Sequence, residues 1–177
     1  MLIRRVRDSD WEACEAVDFS YESEHAWQME TAERSAEWSV TFRKVHLPRR
    51  LRMAYPIPER CRLKHWQAAE QCWVAIEHRD VIGLIAVNLD LTDHQARISD
   101  LGVSVGHRRE GVGTALLRRA IEWCLRHRIP QLVLPCPLKA EPAIQFATHH
   151  RFNVGGFQDD YWPGHEVAIL FYQRLRV

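Results

Sequence analysis

The chain has 177 residues, of which 46% are hydrophobic and 27% are charged, a composition typical of a soluble globular protein and not of a disordered one. Its length predicts one domain over residues 1–177. The 24 Lys and Arg residues nearly balance the 23 Asp and Glu residues, which argues against a nucleic acid held by bulk charge. There is no apolar run of transmembrane length and no signal-peptide core, so we expect a cytoplasmic protein without a membrane partner.

Cysteine and histidine usage bears on redox state and metal binding. The five cysteines are an odd number and contain no Cys-x-x-Cys pair, which favours reduced thiols over a disulfide framework. The ten histidines include no His-x-x-x-His helix pair with a carboxylate partner. We therefore predict no metal site.

The first third of the chain gives the weakest signals. Residues 2–6 predict a short strand, and helical spacing of apolar residues predicts a helix just after it. Small apolar residues four positions apart predict a second helix over 31–45. The stretch 47–63 contains three prolines, which predicts a long loop or a lid.

The middle of the chain predicts an antiparallel meander. Two apolar runs, 71–77 and 81–90, are joined by only His-Arg-Asp, and so short a connection forms a hairpin. A third strand is expected from about Gln95 to Val105. In that strand the apolar residues occupy even positions up to Ile98 and odd positions from Leu101 onward. Either a β-bulge near Ser99–Asp100 absorbs one extra residue, or the strand simply begins at Leu101.

The last third predicts a β-α-β unit followed by further elements. Apolar residues at helical spacing predict a helix from 112 to about 127, and a buried strand follows at 131–136. A short helix over 142–150 and strands at 152–157 and 166–175 complete the chain. The fold class is α+β on a mixed sheet.

Two glycines stand between the third strand and the long helix. Gly111 and Gly113 lie where free N–H groups and the helix dipole favour an anion. Arg108 and Arg109 add charge, and Thr114 adds a hydroxyl in the first helical turn. The pattern matches neither a P-loop nor a Rossmann fingerprint. A phosphate site and an ordinary strand-to-helix turn both stay open on this evidence alone.

The same residues carry a family resemblance. The run DLGVSVGHRREGVGTALLRRAIEWC resembles the acetyl-CoA motif of the GNAT N-acetyltransferases, whose signature Arg/Gln-x-x-Gly-x-Gly/Ala reads here from Arg108 to Gly113. Within that family, DFSYESE and VGGFQDDYWPGHEVAILFY look most like streptothricin acetyltransferases. The resemblance implies a single-domain GNAT fold: a mixed, mostly antiparallel sheet whose central strand is bulged and splayed, flanked by helices.

The resemblance also implies a coenzyme site. A V-shaped opening would form at the bulge in the third strand of the meander, and the pantetheine arm would pair with backbone on that strand. The pyrophosphate would rest on N–H groups at the start of the long helix. The coenzyme-binding residues expected are Leu101, Val103, Val105, Arg108, Arg109, Glu110, Gly111, Val112, Gly113 and Thr114.

Acetyl transfer from a thioester to an amine needs a base, an oxyanion donor and a proton for the leaving thiolate. Asp100, at the phase break, is the candidate base, although such a carboxylate often only forms a surface pair. A backbone N–H near Leu101 or Val103 is the candidate oxyanion donor. Asp160 and Glu166 are weaker candidates for holding a cationic substrate.

The family often has a tyrosine general acid in the helix after the fifth strand, and this sequence has Ala147 there. His149, Tyr161 or Cys136 could supply the proton instead, although the favoured interpretation of His149 is a solvated residue at the negative end of a helix dipole. Solvent could also reprotonate the thiolate, or the domain could bind acyl-CoA without efficient turnover. The catalytic candidates are therefore Asp100, Tyr161 and His149.

These observations predict an N-acetyltransferase that moves an acetyl group directly from acetyl-CoA to a primary amine of a small molecule, such as an aminated antibiotic or metabolite. The alternatives are a catalytically weak acyl-CoA-binding or regulatory module and an acetyltransferase of a protein amine. Acetyl-CoA is the expected co-substrate, without a metal. A homodimer stays open, and four aromatic residues could line an acceptor groove or pack as core: Trp27, Trp38, Trp66 and Tyr55.

Overall fold

The computed structural model describes residues 1–55, 57–90, 94–162 and 164–176. Two short 3₁₀ turns, Asp8–Asp10 and Val105–His107, accompany the regular elements. No helix within these ranges is long and apolar enough to cross a bilayer. In chain order the elements are β1 (Leu2–Arg5), α1 (Trp11–Glu15), β2 (Tyr21–Arg34), β3 (Glu37–Met53), α2 (Glu59–Gln67), β4 (Gln71–Glu77), β5 (Asp80–Asp90), β6 (Gln95–Val103), α3 (Val112–Arg126), β7 (Gln131–Pro137), α4 (Glu141–His149), β8 (Asn153–Trp162) and β9 (Glu166–Arg174).

The main sheet has seven strands in the order β1-β4-β5-β6-β7-β9-β8. Its neighbouring strands pair antiparallel except β6 and β7, which are parallel. A parallel neighbour requires a crossover, and α3 provides it. The predicted α+β class, the meander and the β-α-β unit are confirmed.

The phase break in β6 is a β-bulge. Ala86 of β5 pairs with Asp100, whereas the next residue, Val87, pairs with Ile98. Ser99 is therefore the extra residue on the bulged strand, which moves the apolar set from even to odd positions. The alternative, in which the strand begins at Leu101, is wrong.

A hydrophobic core covers each face of the sheet. On one face, α3 and α4 pack through residues such as Leu116 and Ile144 against Ile85 and Ile98. On the other face, α1 and α2 pack through Cys14 and Trp66 against Leu84 and neighbouring residues of β4 and β5. Strands β4 and β5, which support β6, are thus buried between two layers.

The predicted helix over 31–45 is wrong, because β2 and β3 form a separate two-stranded antiparallel sheet. The turn is tight, with Arg34 paired to Glu37 and Ser35 at a φ of 45°. The spacing of small apolar residues suggested a helical face, but β-branched residues also occur there, and Thr31 pairs directly with Val40. Such residues favour a pleated surface once a partner strand is present.

The predicted long loop over 47–63 is also mostly regular. β3 continues to Met53 and α2 begins at Glu59, which leaves only a short connection between them. Residues 47–50, which include Pro48, lie opposite the single residue Glu24 in a register shift of the hairpin. A bulge is one of the few places where a strand tolerates proline, since no ladder N–H is lost there.

Candidate active site

An opening in the sheet separates β6 from β7. The two strands pair only from Gln95↔Gln131 to Arg97↔Val133. Beyond that point β7 stays paired with β9, while β6 stays paired with β5. A cavity of about 870 Å³ lies at this opening, and both diverging strand ends line it. This splayed arrangement confirms the geometry expected downstream of the bulge.

The free edge of β6 presents backbone groups to the cavity. The N–H of Ser104 donates to the carbonyl of Ile82 at 2.9 Å. Since antiparallel strands alternate between inward and outward groups, the N–H groups of Leu101 and Val103 point away from β5 and toward the opening. Val105 is not part of this edge, because the strand ends at Val103 and Val105 lies in a 3₁₀ turn. The predicted strand boundary at Val105 is therefore wrong.

The N-terminus of α3 adds a second set of free donors. Its first helical hydrogen bond runs from the N–H of Ala115 to the carbonyl of Gly111 at 3.0 Å, so the preceding amides have no acceptor within the helix. Gly111 has a φ of +86°, and a Cβ built on it would project into open space. A Cβ on Gly113 would come within 3.2 Å of the Phe146 ring. Glycine at both positions keeps this end of the cavity open.

The guanidinium of Arg108 is hydrogen-bonded to backbone carbonyls of the protein itself. Its guanidinium donates to the carbonyls of Val103 at 2.9 Å, Ser20 at 2.6 Å and Asp18 at 3.3 Å. Burial lowers the pKa of this guanidinium from its ordinary value. Arg108 lines the cavity but uses its donors to tie the end of β6 to the segment before β2.

The other motif residues differ in where they lie. Arg109 is exposed at the rim of the cavity, whereas Glu110 is exposed outside its lining. Val112 is 3% exposed and packs in the core. The Thr114 hydroxyl lies 3.1 Å from Nε2 of His150, and burial lowers the pKa of His150. Most predicted coenzyme-binding residues thus line the cavity, but Val105, Glu110 and Val112 do not.

Asp100 follows the bulged residue and is sealed by two neighbours. Its side chain is 0% exposed, and the Tyr55 hydroxyl donates to Oδ1. Nε2 of His65 lies 2.8 Å from Oδ2, although neither atom has a well-aligned hydrogen bond. The two atoms are therefore within hydrogen-bonding distance but are not ideally aligned. Asp100 is not a surface carboxylate, and its oxygens do not face the cavity freely.

The Tyr55–Asp100–His65 cluster shows perturbed ionisation. Burial, followed by the charge of Asp100 and the hydrogen bond to it, raises the pKa of Tyr55 well above its usual value. Interaction with the same carboxylate raises the pKa of His65 above 6.5, against the opposing effect of burial. The sequence analysis named Tyr55 only as an aromatic residue for an acceptor groove or the core and did not name His65, because each is far from Asp100 in sequence.

Phe19 forms a wall of the cavity beside this cluster. Its ring lies 5.4 Å from the Tyr55 ring and 5.7 Å from the Trp66 ring, measured between centroids. A Cβ added to Gly102 would lie 2.0 Å from a Phe19 ring carbon. Gly102 therefore permits the aromatic ring to rest directly on β6.

Tyr21 is a further cavity residue that the sequence analysis missed. It begins β2 and lines the cavity together with Leu134, Pro135 and Pro137 of β7. Burial raises the pKa of the Tyr21 hydroxyl, with smaller effects of Glu166 and Cys136 in the same direction. The Tyr21 hydroxyl therefore keeps its proton and can donate a hydrogen bond inside the cavity.

The remaining candidates are divided between the cavity and other places. Of the predicted catalytic residues, His149 lines the cavity with Asp100, but Tyr161 is outside the lining and its hydroxyl is 3.4 Å from Arg97. Cys136 is completely buried, which raises its pKa, and Ala147 is 0% exposed in the core. The two weaker candidates lie outside the lining: Asp160 is hydrogen-bonded to His165 at 2.8 Å, and Glu166 forms an ion pair with Lys139 at 2.7 Å.

Glu141 joins the β2–β3 hairpin to α4. This buried carboxylate accepts hydrogen bonds from Trp27 at 2.6 Å, from Gln145 at 2.8 Å and from Lys44. Burial alone would raise the pKa of Glu141, but the three hydrogen bonds lower it below its ordinary value. The hairpin also docks through its backbone, since the N–H of Trp27 donates to the carbonyl of Leu138 at 2.8 Å.

The four aromatic candidates for an acceptor groove have different roles. Tyr55 lines the cavity, whereas Trp66 is core at 1% exposure and Trp27 packs beside α4. Trp38 lies near the hairpin turn and is 78% exposed. No cluster of three or more metal-ligating side chains occurs within the part of the chain that the structure describes.

Comparison with known proteins agrees with this architecture. The family model described as "Acetyltransferase (GNAT) family" matches residues 11–152, which is most of the chain. The protein belongs to the GNAT acetyltransferase family. The matched region includes the bulged strand β6, the free N-terminus of α3 and both strands of the opening.

Two similar proteins are named as acetyltransferases. Streptothricin acetyltransferase A of Bacillus subtilis is 32% identical over 84 residues, covering 45% of this chain and 49% of that protein. N-acetyltransferase family 8 member 3 of Rattus norvegicus is 32% identical over 109 residues, covering 59% of this chain and 43% of that protein. The alignments thus span less than half the length of these two relatives.

Solved structures share the fold along nearly the whole chain. Nourseothricin acetyltransferase superposes with a TM-score of 0.85 at 22% identity, covering 99% of this chain and 98% of that one. A Bacillus anthracis strain Ames protein, named provisionally as a streptothricin acetyltransferase and solved with acetyl coenzyme A, has a TM-score of 0.75 at 20% identity, covering 98% and 99%. These likenesses confirm the fold.

Proposed function

We propose that this protein is an acetyl-CoA-dependent N-acetyltransferase that acetylates a primary amine of a small molecule. The observation that carries the proposal is that one cavity receives both the free edge of β6 and the free N-terminus of α3. Its volume of about 870 Å³ falls within the usual range for a small-molecule site, roughly 300–1,000 Å³. The two walls suit the two chemically different parts of the coenzyme.

The coenzyme would lie along the wall formed by Leu101, Val103, Gly111, Gly113 and Thr114, which we call the strand–helix wall. The free N–H groups of β6 would donate to carbonyl oxygens of the pantetheine arm, which would occupy the place of a neighbouring β-strand. The amides that open α3 would bind the pyrophosphate, because they have no helical acceptor and the helix dipole favours an anion. The exposed guanidinium of Arg109 adds a positive charge at the rim.

The acceptor would enter beside the aromatic wall, which we define as Phe19, Tyr21 and Tyr55. A neutral amine there attacks the thioester carbonyl, so a C–N bond forms and the C–S bond breaks. The backbone N–H of Leu101 would stabilise the developing oxyanion. Tyr21 and His149 are the cavity residues that could reprotonate the thiolate, and solvent is a third source.

The substrate class is drawn from relatives and from the shape of the cavity. The names of several relatives specify streptothricin or nourseothricin, which makes an aminated antibiotic a reasonable first acceptor. The aromatic wall suits a small molecule better than a protein surface, so protein acetylation is the weaker alternative. The cytoplasmic location and the lack of a nucleic-acid partner stay predictions.

A catalytically weak acyl-CoA-binding module is the second candidate, because buried Ala147 stands where the family often has its acid tyrosine. The two candidates share the coenzyme site and differ only in turnover. The deciding measurement is release of free thiol from acetyl-CoA in the presence of streptothricin, small primary amines and a peptide with a free N-terminus. Amine-dependent release with streptothricin or a small amine supports the enzyme. Tight coenzyme binding by calorimetry without such release supports the module.

A further inference from the structure

Three side chains connect the cavity to a partly exposed histidine outside its lining. Tyr55 lines the cavity and donates to Asp100. The Asp100 side chain is fully buried, and Nε2 of His65 lies 2.8 Å from its Oδ2 atom. The His65 side chain is 37% exposed but is not part of the cavity lining. The cluster thus begins inside the cavity and ends in bulk solvent.

Acetylation creates a need for such a connection. An ammonium acceptor has three protons on nitrogen, and the amide product keeps one. One of the other two ends on the coenzyme thiol, and the second must leave the site. A proton released into the cavity would re-protonate the next acceptor, so an exit separate from the path of the acceptor favours turnover.

We propose that Tyr55, Asp100 and His65 form a proton relay that carries the proton lost by the acceptor amine from the cavity to bulk solvent. This inference rests on the proposed N-acetyltransferase function. The Tyr55 oxygen accepts a proton from the amine while its own proton passes to Oδ1 of Asp100. Rotation of the protonated carboxyl group moves this proton to the Oδ2 side, where it passes to Nε2 of neutral His65, and the imidazolium then releases a proton from Nδ1 to water. Tyr55 contacts the acceptor, whereas Asp100 and His65 act through it as positioning residues.

The groups packed around the relay are a guanidinium and two buried thiols, and His65 is the member of the relay that titrates. From α2, Arg62 places its guanidinium 5.5 Å from the Tyr55 ring centroid. From β4, Cys72 faces Asp100, and burial followed by the charges of Cys14 and Asp100 raises its pKa to about 12. Cys14 of α1 is likewise raised to a pKa of about 12, mainly by burial. These thiols stay protonated. Because the pKa of His65 is raised, its imidazolium loses a proton, as the relay requires, only above pH 6.5.

The relay predicts a specific behaviour of the His65→Ala variant. With streptothricin, or with another amine of the panel that the wild type acetylates, kcat should fall about 100-fold, which is the lower end of general acid–base effects of roughly 10²–10⁴. Added imidazole should restore much of this loss, because it can occupy the vacated site and carry the proton. The acid limb of the wild-type pH profile, set by His65 above pH 6.5, should disappear in the variant.

Matched variants separate the relay from a structural role. Tyr55→Phe should lose more activity than His65→Ala and should not respond to imidazole. His78→Asn, in the exposed β4–β5 turn, should behave as wild type. Calorimetry should show that all of these variants bind acetyl-CoA within about threefold of wild type.

The remaining outcomes distinguish failure of the relay from failure of the proposed function. If the wild type acetylates amines and His65→Ala is equally active, or is impaired but not rescued by imidazole, the relay is wrong and the proposed function stands. If the wild type acetylates no amine in the panel, the proposed function fails and the relay fails with it.

Discussion

The two walls of the cavity present different chemical groups. The strand–helix wall presents mainly backbone N–H groups, held by the hydrogen bonds of β6 and α3. The aromatic wall presents side chains from the segment before β2, from β2 itself and from the connection before α2. Backbone donors can bind the constant parts of a coenzyme whatever the neighbouring side chains, whereas aromatic side chains adapt to a particular acceptor. Substitutions in one wall should therefore alter coenzyme affinity, and those in the other should alter acceptor use.

Gly111→Val should give the largest effect and should act on coenzyme binding. The left-handed φ of +86° disfavours a β-branched residue, and its side chain would enter the open space at the helix start. Loss of two hydrogen bonds to a charged group, at about 1.5 kcal/mol each, corresponds to roughly a 100-fold rise in Kd for acetyl-CoA. Isothermal titration calorimetry measures this directly.

Gly106→Ala is the matched control for that variant, because a Cβ there also meets nothing within 4 Å and Gly106 lies outside the cavity lining. Its affinity for acetyl-CoA should stay within about twofold of wild type. Gly111→Ala, a milder change, guards against a folding defect. Unchanged affinity in well-folded Gly111→Val would remove the phosphate site from the helix N-terminus.

Gly102→Ala should have the next largest effect and should act mainly on the aromatic wall. The new Cβ would lie 2.0 Å from the Phe19 ring, so the ring must move, at a cost of about 1–3 kcal/mol in the free energy of unfolding. We expect the KM for the acceptor to rise about 10-fold, while the Kd for acetyl-CoA changes less than threefold. An equal loss of both affinities would show that the two walls are not separable.

Glu141→Gln tests how the hairpin that carries Tyr21 is held in place. Loss of the charged partner of Lys44 should lower the free energy of unfolding by about 1–2 kcal/mol at pH 7. The Glu141 pKa is lowered from 4.5, so its stabilising contribution is complete above pH 4.5 and is lost as pH falls through the lowered pKa. Urea unfolding at several pH values should show the gap between wild type and variant closing only below about pH 4.5.

Glu166→Gln is the control for this measurement. Its partner Lys139 is 53% exposed, and exposed pairs contribute about 0.2–1 kcal/mol. The control should therefore be close to wild type at every pH. A loss as large as that of Glu141→Gln would mean that burial of the pair is not what matters.

The strand–helix wall could be predicted from sequence because it is local. The phase break at Ser99, the glycines and the start of α3 all fall within one short stretch, and the hydrogen bonds that define them are between near neighbours. The meander could also be predicted from the sequence, since its strands are buried apolar runs with short connections. Here local pattern and final structure agree.

The aromatic wall could be predicted only in part, through Tyr55 as one of four aromatic candidates, because the wall depends on distant contacts. Tyr55 is 45 positions from Asp100, and it reaches the cavity only because β3 and α2 place it there. The helix expected over 31–45 failed for the same reason, since strand pairing with a partner outweighed a weak periodicity. The carboxylate of Asp100 was foreseen, but its enclosure by Tyr55 and His65 was not.

Arg108 changes how the ionic-strength dependence of coenzyme binding should be understood. The motif supplies two adjacent guanidinium groups, yet Arg108 donates to three backbone carbonyls and only Arg109 of this pair is exposed. The amides at the start of α3 carry no net charge. Added salt, which screens exposed charges most strongly, should therefore weaken acetyl-CoA binding less than a count of the motif's arginines suggests.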